Sequence, residues 1–184
     1  LEDAEGIISV LGALREARPD IFLNTTVGTW ASPFWYLHAD SIWRQEGDFD
    51  QIGNMGDARD RWITYRDRLV HEIFVTGAPL FPINSIMIHG TIITKNGPPR
   101  VMSQDPANCI KEMRTAFTSG SGLQEIYVDA DLMNQQGGVL WDELARCIAW
   151  VRRNADILAD THWVGGNPWD KQKQDGDIYG WAAW

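Results

Sequence analysis

The sequence predicts an α/β fold built on a parallel sheet. Three observations carry this. Apolar stripes at helical spacing alternate with short apolar runs along the chain. The connections between successive runs are long enough to hold a crossover helix, as parallel pairing requires. The long loops all follow the apolar runs, so they lie at the C-terminal ends of strands, where both α/β barrels and open doubly wound sheets place their sites.

Each element can be read in order. Residues 3–18 carry Ile7, Val10, Leu11 and Leu14 on one stripe, with Arg15 and Arg18 in the last turn and Pro19 as the stop. "IFLNTT", residues 21–26, reads as a short buried strand feeding a loop. The aromatic stretch "TVGTWASPFWYLHADSIWRQEGDFD" follows, and Gly47, Gly53 and Gly56 keep the later part irregular. Asp57 caps a helix over 58–76, with Trp62, Tyr65, Leu69 and Ile73 on one face and Gly77 and Pro79 at its end. "INSIMIHG", 83–90, is a second strand. Asp105 caps and Pro106 opens a helix running to Thr118. "LQEIYVDA", 123–130, is a third strand. A last helix over 139–159 places Trp141, Leu144, Ile148, Val151, Ala155 and Leu158 on one side. The tail 160–184 is rich in Trp, Gly and Asp and shows no period. This order fits a barrel and an open doubly wound sheet equally well.

Composition narrows the chemistry. The 184 residues fit one domain, and 44% hydrophobic residues can bury a sizeable core. A net charge of −9 argues against nucleic acid as a partner. No apolar run approaches the roughly 20 residues that span a bilayer. Cys109 and Cys147 are too few for a disulfide framework and sit at apolar helical positions, as buried free thiols do. "LEDAEGIISV" has no signal-peptide character and begins almost inside a helix, so the chain is expected to be a piece of a larger protein.

No metal or cofactor motif is present. His38, His71, His89 and His162 are scattered, with no Cys/His pair at ligand spacing. "SGSGLQ", 119–124, follows a helix instead of opening one, so it reads as a turn and not a phosphate cradle. What remains is carboxylates among aromatics. There are ten tryptophans, and Trp30, Trp35 and Trp43 share one loop with Asp40, Glu46, Asp48 and Asp50. Sugars present C–H faces that stack on such rings and hydroxyls that need acceptors. Glycoside hydrolysis needs two carboxyl groups across the scissile bond. Asp40 is the carboxyl with apolar or aromatic neighbours on both sides, Trp35, Tyr36, Leu37, Ala39, Ile42 and Trp43. Such surroundings would raise its pKa as a general acid requires. The alternative is a buried structural aspartate paired with an arginine such as Arg44. Glu46, Asp48 and Asp50 lie among Gly and Gln and read as solvated.

"FWYLHAD" resembles the W-x-x-x-A-D strand-end pattern of clan D glycoside hydrolases, the α-galactosidases and α-N-acetylgalactosaminidases. The runs "NTTVGTWASPFWYLHADSIWR", "RWITYRD", "PLFPINSIMIHG" and "DTHWVGG…YGWAAW" resemble a bacterial branch of α-galactosidase-like proteins across nearly the whole chain. The resemblance implies a (β/α)8 barrel of which residues 1–184 are the C-terminal half, strands five to eight. The stretch 36–40 would then be a very short sixth strand. It implies a retaining α-glycosidase acting on a glycan or oligosaccharide by double displacement. Asp40 would be the acid/base, and the nucleophile would lie upstream. Trp30, Trp35 and Trp43 would wall the sugar, with Asn24, Arg44 and His89 in reach of hydroxyls. No cofactor is implied. A periplasmic or extracellular location is implied, as is pairing with the missing half-barrel or self-association. The sequence departs from the pattern at Tyr36, where the galactosidases carry an Arg directly after the Trp. The loop after the first strand, Thr25, Thr26, Val27 and Gly28, lacks the acid that favours galactose. The other reading is a non-catalytic glycan-binding or degenerate relative.

Overall fold

The computed structural model describes residues 2–26, 29, 31–53, 56–77, 82–95, 102–167, 169 and 178–184. Glu2–Ala17 forms α1, with Glu2, Asp3 and Glu5 at the positive end of its dipole and Arg15 in its last turn. The first strand, β1, is only Asn24–Thr25. Residues 33–37, which the resemblance places partly in a strand, form a 3-10 turn instead. Ser32 Oγ accepts the Phe34 N–H, and Pro33, with its fixed φ and missing N–H, opens the turn. The strand comes later, as β2 at Ser41–Trp43.

Ala58–Val70 forms α2, opened by Asp57 and Asp60, each of which accepts a backbone N–H of the other. It continues through a π turn at His71–Thr76. Ile86–Ile93 is β3, and Pro106–Thr118 is α3, capped by Asp105. Leu123–Val128 is β4. Ala130–Arg153 is α4, broken at residues 135–138, where Gln136, Gly137 and Gly138 take φ of 50°, 73° and 83°. The break explains why periodicity starts only at 139. A short α5, Ala155–Leu158, follows. The tail without a period forms an antiparallel hairpin, β5 (Thr161–Gly165) with β6 (Tyr179–Ala183).

The molecule is mixed α/β, and β1 to β4 form a parallel sheet in sequence order. Asn24 pairs with Ser41, Trp43 with Met87, and His89 with Glu125. Beyond His89 the register shifts by one, so that Ile92 pairs with Tyr127 and Ile93 with Val128. Residues 90 and 91 therefore make a bulge. Pleating sends alternate side chains to opposite faces. Ile42, Ile86 and Ile88 go to the helical face and pack with Val70, Phe74 and Ala116. Asn24, Ser41, Trp43, Met87, His89, Glu125 and Tyr127 share the other face.

A buried ion pair locks the helical layer to the sheet. Arg59 on α2 and Glu112 on α3 are both 0% exposed and in contact. Glu112 also accepts the Trp62 indole N–H at 2.7 Å and the Ile92 N–H at 3.2 Å. Arg59 donates to the carbonyls of Ile92 and Ser103 at 2.9 and 2.7 Å. These bonds compensate the desolvation of both charges. The hairpin docks on α2 through Tyr179, whose hydroxyl donates to the buried Asp67 at 2.9 Å. Trp163 stacks on Tyr179 at 4.7 Å and meets Trp181 edge-on at 4.9 Å. Much of the tryptophan surplus is therefore structural. Among the described residues, no helix is long and apolar enough to cross a membrane.

Candidate functional site

Asp40 does not stand where the sequence reading put it. It immediately precedes β2, at the N-terminal end of the sheet. Its backbone N–H and that of Ser41 both reach the Leu23 carbonyl, at 2.8 and 3.2 Å. Its Oδ2 accepts the Leu23 N–H at 2.7 Å and Arg15 Nη2 at 2.9 Å. Burial alone would raise its pKa. The Leu23 N–H and the Arg15 guanidinium outweigh that, and the carboxyl titrates below the ordinary range. The structure therefore corrects two expectations: the C-terminal strand end and the raised pKa. The arginine paired with it is Arg15, not Arg44.

Trp35 is also reassigned. The 3-10 turn drives its ring into the core beside Ile42, Val70 and Phe74, and 7% of it is exposed. It cannot wall a sugar. Trp30 lies outside the described residues. Asn24 accepts the Ser41 hydroxyl and donates to Met87 Sδ at 3.3 Å, so its amide is used within the sheet.

Arg44 is fully buried and reaches no surface hydroxyl. Its Nη1 and Nη2 donate to the carbonyls of Gln45 and Gly47, each at 2.9 Å. Burial lowers its pKa to about 10. Its work is on the backbone. Gln45 and Glu46 hold φ of 71° and 67°, a region that non-glycine residues rarely adopt. The Arg44 guanidinium and the Tyr65 hydroxyl, 3.2 Å from the Gly47 carbonyl, bind that turn in place. The turn delivers Asp48 at the C-terminal end of β2.

There a set of side chains converges from three strands. His89 Nε2 lies 3.1 Å from Glu125 Oε2 and 3.9 Å from Asp48 Oδ1. The Tyr127 hydroxyl donates to Glu125 Oε1 at 2.8 Å. The His89 ring sits between Trp43 and Tyr127, with centroids at 5.6 and 5.8 Å. Its side chain is 6% exposed, whereas those of Glu125 and Asp48 are 36% and 81% exposed. Burial, and after it the Arg44 charge, push the His89 pKa down against the pull of Glu125 and Asp48. The imidazole is therefore neutral at pH 7. Burial and the bond to Glu125 push the Tyr127 phenol up to about 12. Among the described residues no group of three His, Cys, Asp or Glu could hold a metal ion. The cluster offers two carboxylate acceptors, a neutral imidazole, a phenol and an indole face.

Of the expected residues, Trp43 and His89 meet here; Asp48, Glu125 and Tyr127 were not singled out. A signal for Asp48 was present. The spacing of Trp, four intervening residues ending in a small one, then Asp, occurs twice: Trp35 to Ala39–Asp40, and Trp43 to Gly47–Asp48. Only the second has Arg directly after the Trp. No family model matches the chain, and neither a curated protein nor a solved structure matches it.

Proposed function

We propose that the chain is part of a carbohydrate-processing (β/α)8 barrel, an α-glycosidase whose sugar rests on the face of Trp43, Glu125 and Tyr127, with His89 packed behind them. The observation that carries this reading is the convergence of Asp48, His89 and Glu125 beside Trp43 at the C-terminal end of β2. Two features support the barrel. The four parallel strands run in sequence order without the reversal of an open doubly wound sheet. Long loops leave the same end of the strands. In this reading β1 and β4 are edges that further strands, or a second copy, would close.

Asp48 takes the acid/base position that the sequence reading gave to Asp40. It stands at the end of the strand that pairs with β1 and β3, and it carries the Trp-Arg signature. A second reading is a glycan-binding protein without turnover. The 81% exposure of Asp48 favours it, because a general acid is usually held in an apolar enclosure.

The test is tryptophan fluorescence during titration with galactose and N-acetylgalactosamine. The expected result is a saturable change that Trp43→Ala removes and Trp35→Phe keeps. No saturable change with either sugar overturns the reading.

A further inference from the structure

We infer that His89 is a positioning residue: its ring ties the loop after β2 to β4 and so sets the separation of the Asp48 and Glu125 carboxylates. The inference concerns the site proposed above, but it stands or falls on geometry, whether or not a sugar binds there.

Asp48 and Glu125 belong to different elements. Asp48 follows a turn with two left-handed non-glycine residues, and Glu125 projects from the edge strand β4. Both side chains are partly solvated and both are acidic, so nothing intrinsic to either brings them together. They share one imidazole, and the buried Arg44 charge also acts on both. His89 Nε2 is 3.1 Å from Glu125 and 3.9 Å from Asp48, and the ring also makes a backbone hydrogen bond with Asp48. Two carboxylate oxygens at those distances from one atom lie within about 7 Å of each other, the scale on which glycosidases place their carboxyl pairs.

The ring is well suited to that task. Trp43 and Tyr127 pack against it, and it projects from β3 one residue before the bulge. Tyr127 meanwhile fixes the other oxygen of Glu125. Glu125 is therefore held from two sides, and the ring meets the Asp48 segment at its backbone, with the Asp48 carboxylate 3.9 Å from Nε2 and beyond hydrogen-bond reach. The groups facing the ring are Arg44, Asp48, Glu125 and Tyr127. Arg44 spends its Nη atoms on the Gln45 and Gly47 carbonyls, so it steadies the turn, while its charge attracts both acids and is left unchanged in every variant of the test.

The test reads the electrostatic coupling of the two carboxylates. The Asp48 side-chain carboxyl is titrated by carbon-13 NMR in the wild type and in Glu125→Gln. Removing a like charge about 7 Å away lowers the Asp48 midpoint by about half a pH unit at a dielectric near that of water, as suits so exposed a side chain. The same pair is then compared in a His89→Phe background, which fills the space between Trp43 and Tyr127 but carries no N–H, and in a His89→Gln background, which keeps an amide. The expected result is that His89→Phe measurably reduces the shift and His89→Gln retains it. An equal shift in the wild-type and His89→Phe backgrounds overturns the inference, because the acids are then held together without the imidazole. No shift in the wild type overturns it as well, because the acids are then not neighbours. Neither outcome depends on sugar binding, so the functional proposal and this one fail separately.

Discussion

Asp40 Oδ2 accepts the backbone N–H of Leu23 at 2.7 Å, one residue before β1 begins. The aspartate thus closes the start of the sheet, and Arg15 brings α1 to the same point. Asp40→Ala should cost about 1–2 kcal/mol, the range for leaving a part-buried N–H without its acceptor. Because the folded pKa is depressed, this stability is present above the unfolded value and is lost as pH falls through the folded one. Chemical denaturation from pH 7 to pH 2 checks this. Sugar affinity should not change, and a loss of binding in Asp40→Ala would return the residue to the site.

Asp48→Asn should behave differently. Under the proposed glycosidase reading, turnover should fall by about 10²–10⁴-fold on substrates with poor leaving groups, the usual contribution of general acid catalysis. Fold stability should stay near that of the wild type, since the side chain is 81% exposed. Steady-state kinetics of Asp48→Asn beside Asp40→Asn separates the two aspartates. Equal rates for Asp48→Asn and wild type would remove it as the acid.

Glu112→Ala should be among the most damaging single changes. It leaves the Arg59 charge buried and orphans the Trp62 and Ile92 N–H groups. Breaking one side of a buried pair costs about 3–5 kcal/mol. Urea unfolding measures it, and a loss below about 1 kcal/mol would mean that the interior relaxes around the charge.

Tyr179→Phe removes one hydroxyl and keeps the ring stacked on Trp163. The buried Asp67 then loses a donor, at a cost of about 1–3 kcal/mol. Hydrogen exchange should rise first in β6 and at the end of α2. Unchanged protection in both would show that the aromatic contacts alone hold the hairpin.

His89 also predicts a pH dependence of stability. Its folded pKa is below the ordinary value of 6.5, so between those two values the unfolded chain binds a proton that the folded one refuses. Stability should therefore fall as pH drops below 6.5. His71 shifts in the same direction, so the measurement is the difference between wild type and His89→Gln. A difference that is flat from pH 7 to pH 4.5 would contradict the assigned direction.

The helices were legible because caps and stripes are local. Asp57, Asp105 and Pro106 mark their starts in the sequence and in the structure alike. The strands were legible as apolar runs at 86–90 and 123–128, but residues 83–85 of the expected strand form a 3-10 turn and β3 runs on to Ile93, beyond its expected end at 90. The strand Ser41–Trp43 was not legible. With three residues it has no period, and its neighbours Pro33–Leu37 are as apolar as it is. The β5–β6 hairpin was hidden for a related reason, since its tryptophans pack on one another and not in alternation. The site suffered from the misplaced strand. Once β2 starts after Asp40 instead of ending on it, the acidic residue at its C-terminal end becomes Asp48. Arg44 was misread because sequence shows its charge and not its burial. Glu125 and Tyr127 needed the pairing of β4 with β3 to be seen at all.

The bulge at residues 90 and 91 acts like a reading-frame shift written into the strand. Upstream of it, His89 is in phase with Glu125; downstream, Ile92 is in phase with Tyr127 and Ile93 with Val128. A deletion of one residue there would not merely shorten the chain. It would restore the regular frame while leaving Ile92 opposite Tyr127 and Ile93 opposite Val128; the present strand paired without a bulge would instead set residue 91 opposite Tyr127 and Ile92 opposite Val128, and Ile93 would leave its place beside Met113 and Leu140. With the present residues on the strand, the cluster around His89 and the core around Ile93 take opposite faces because the bulge absorbs the extra residue between them.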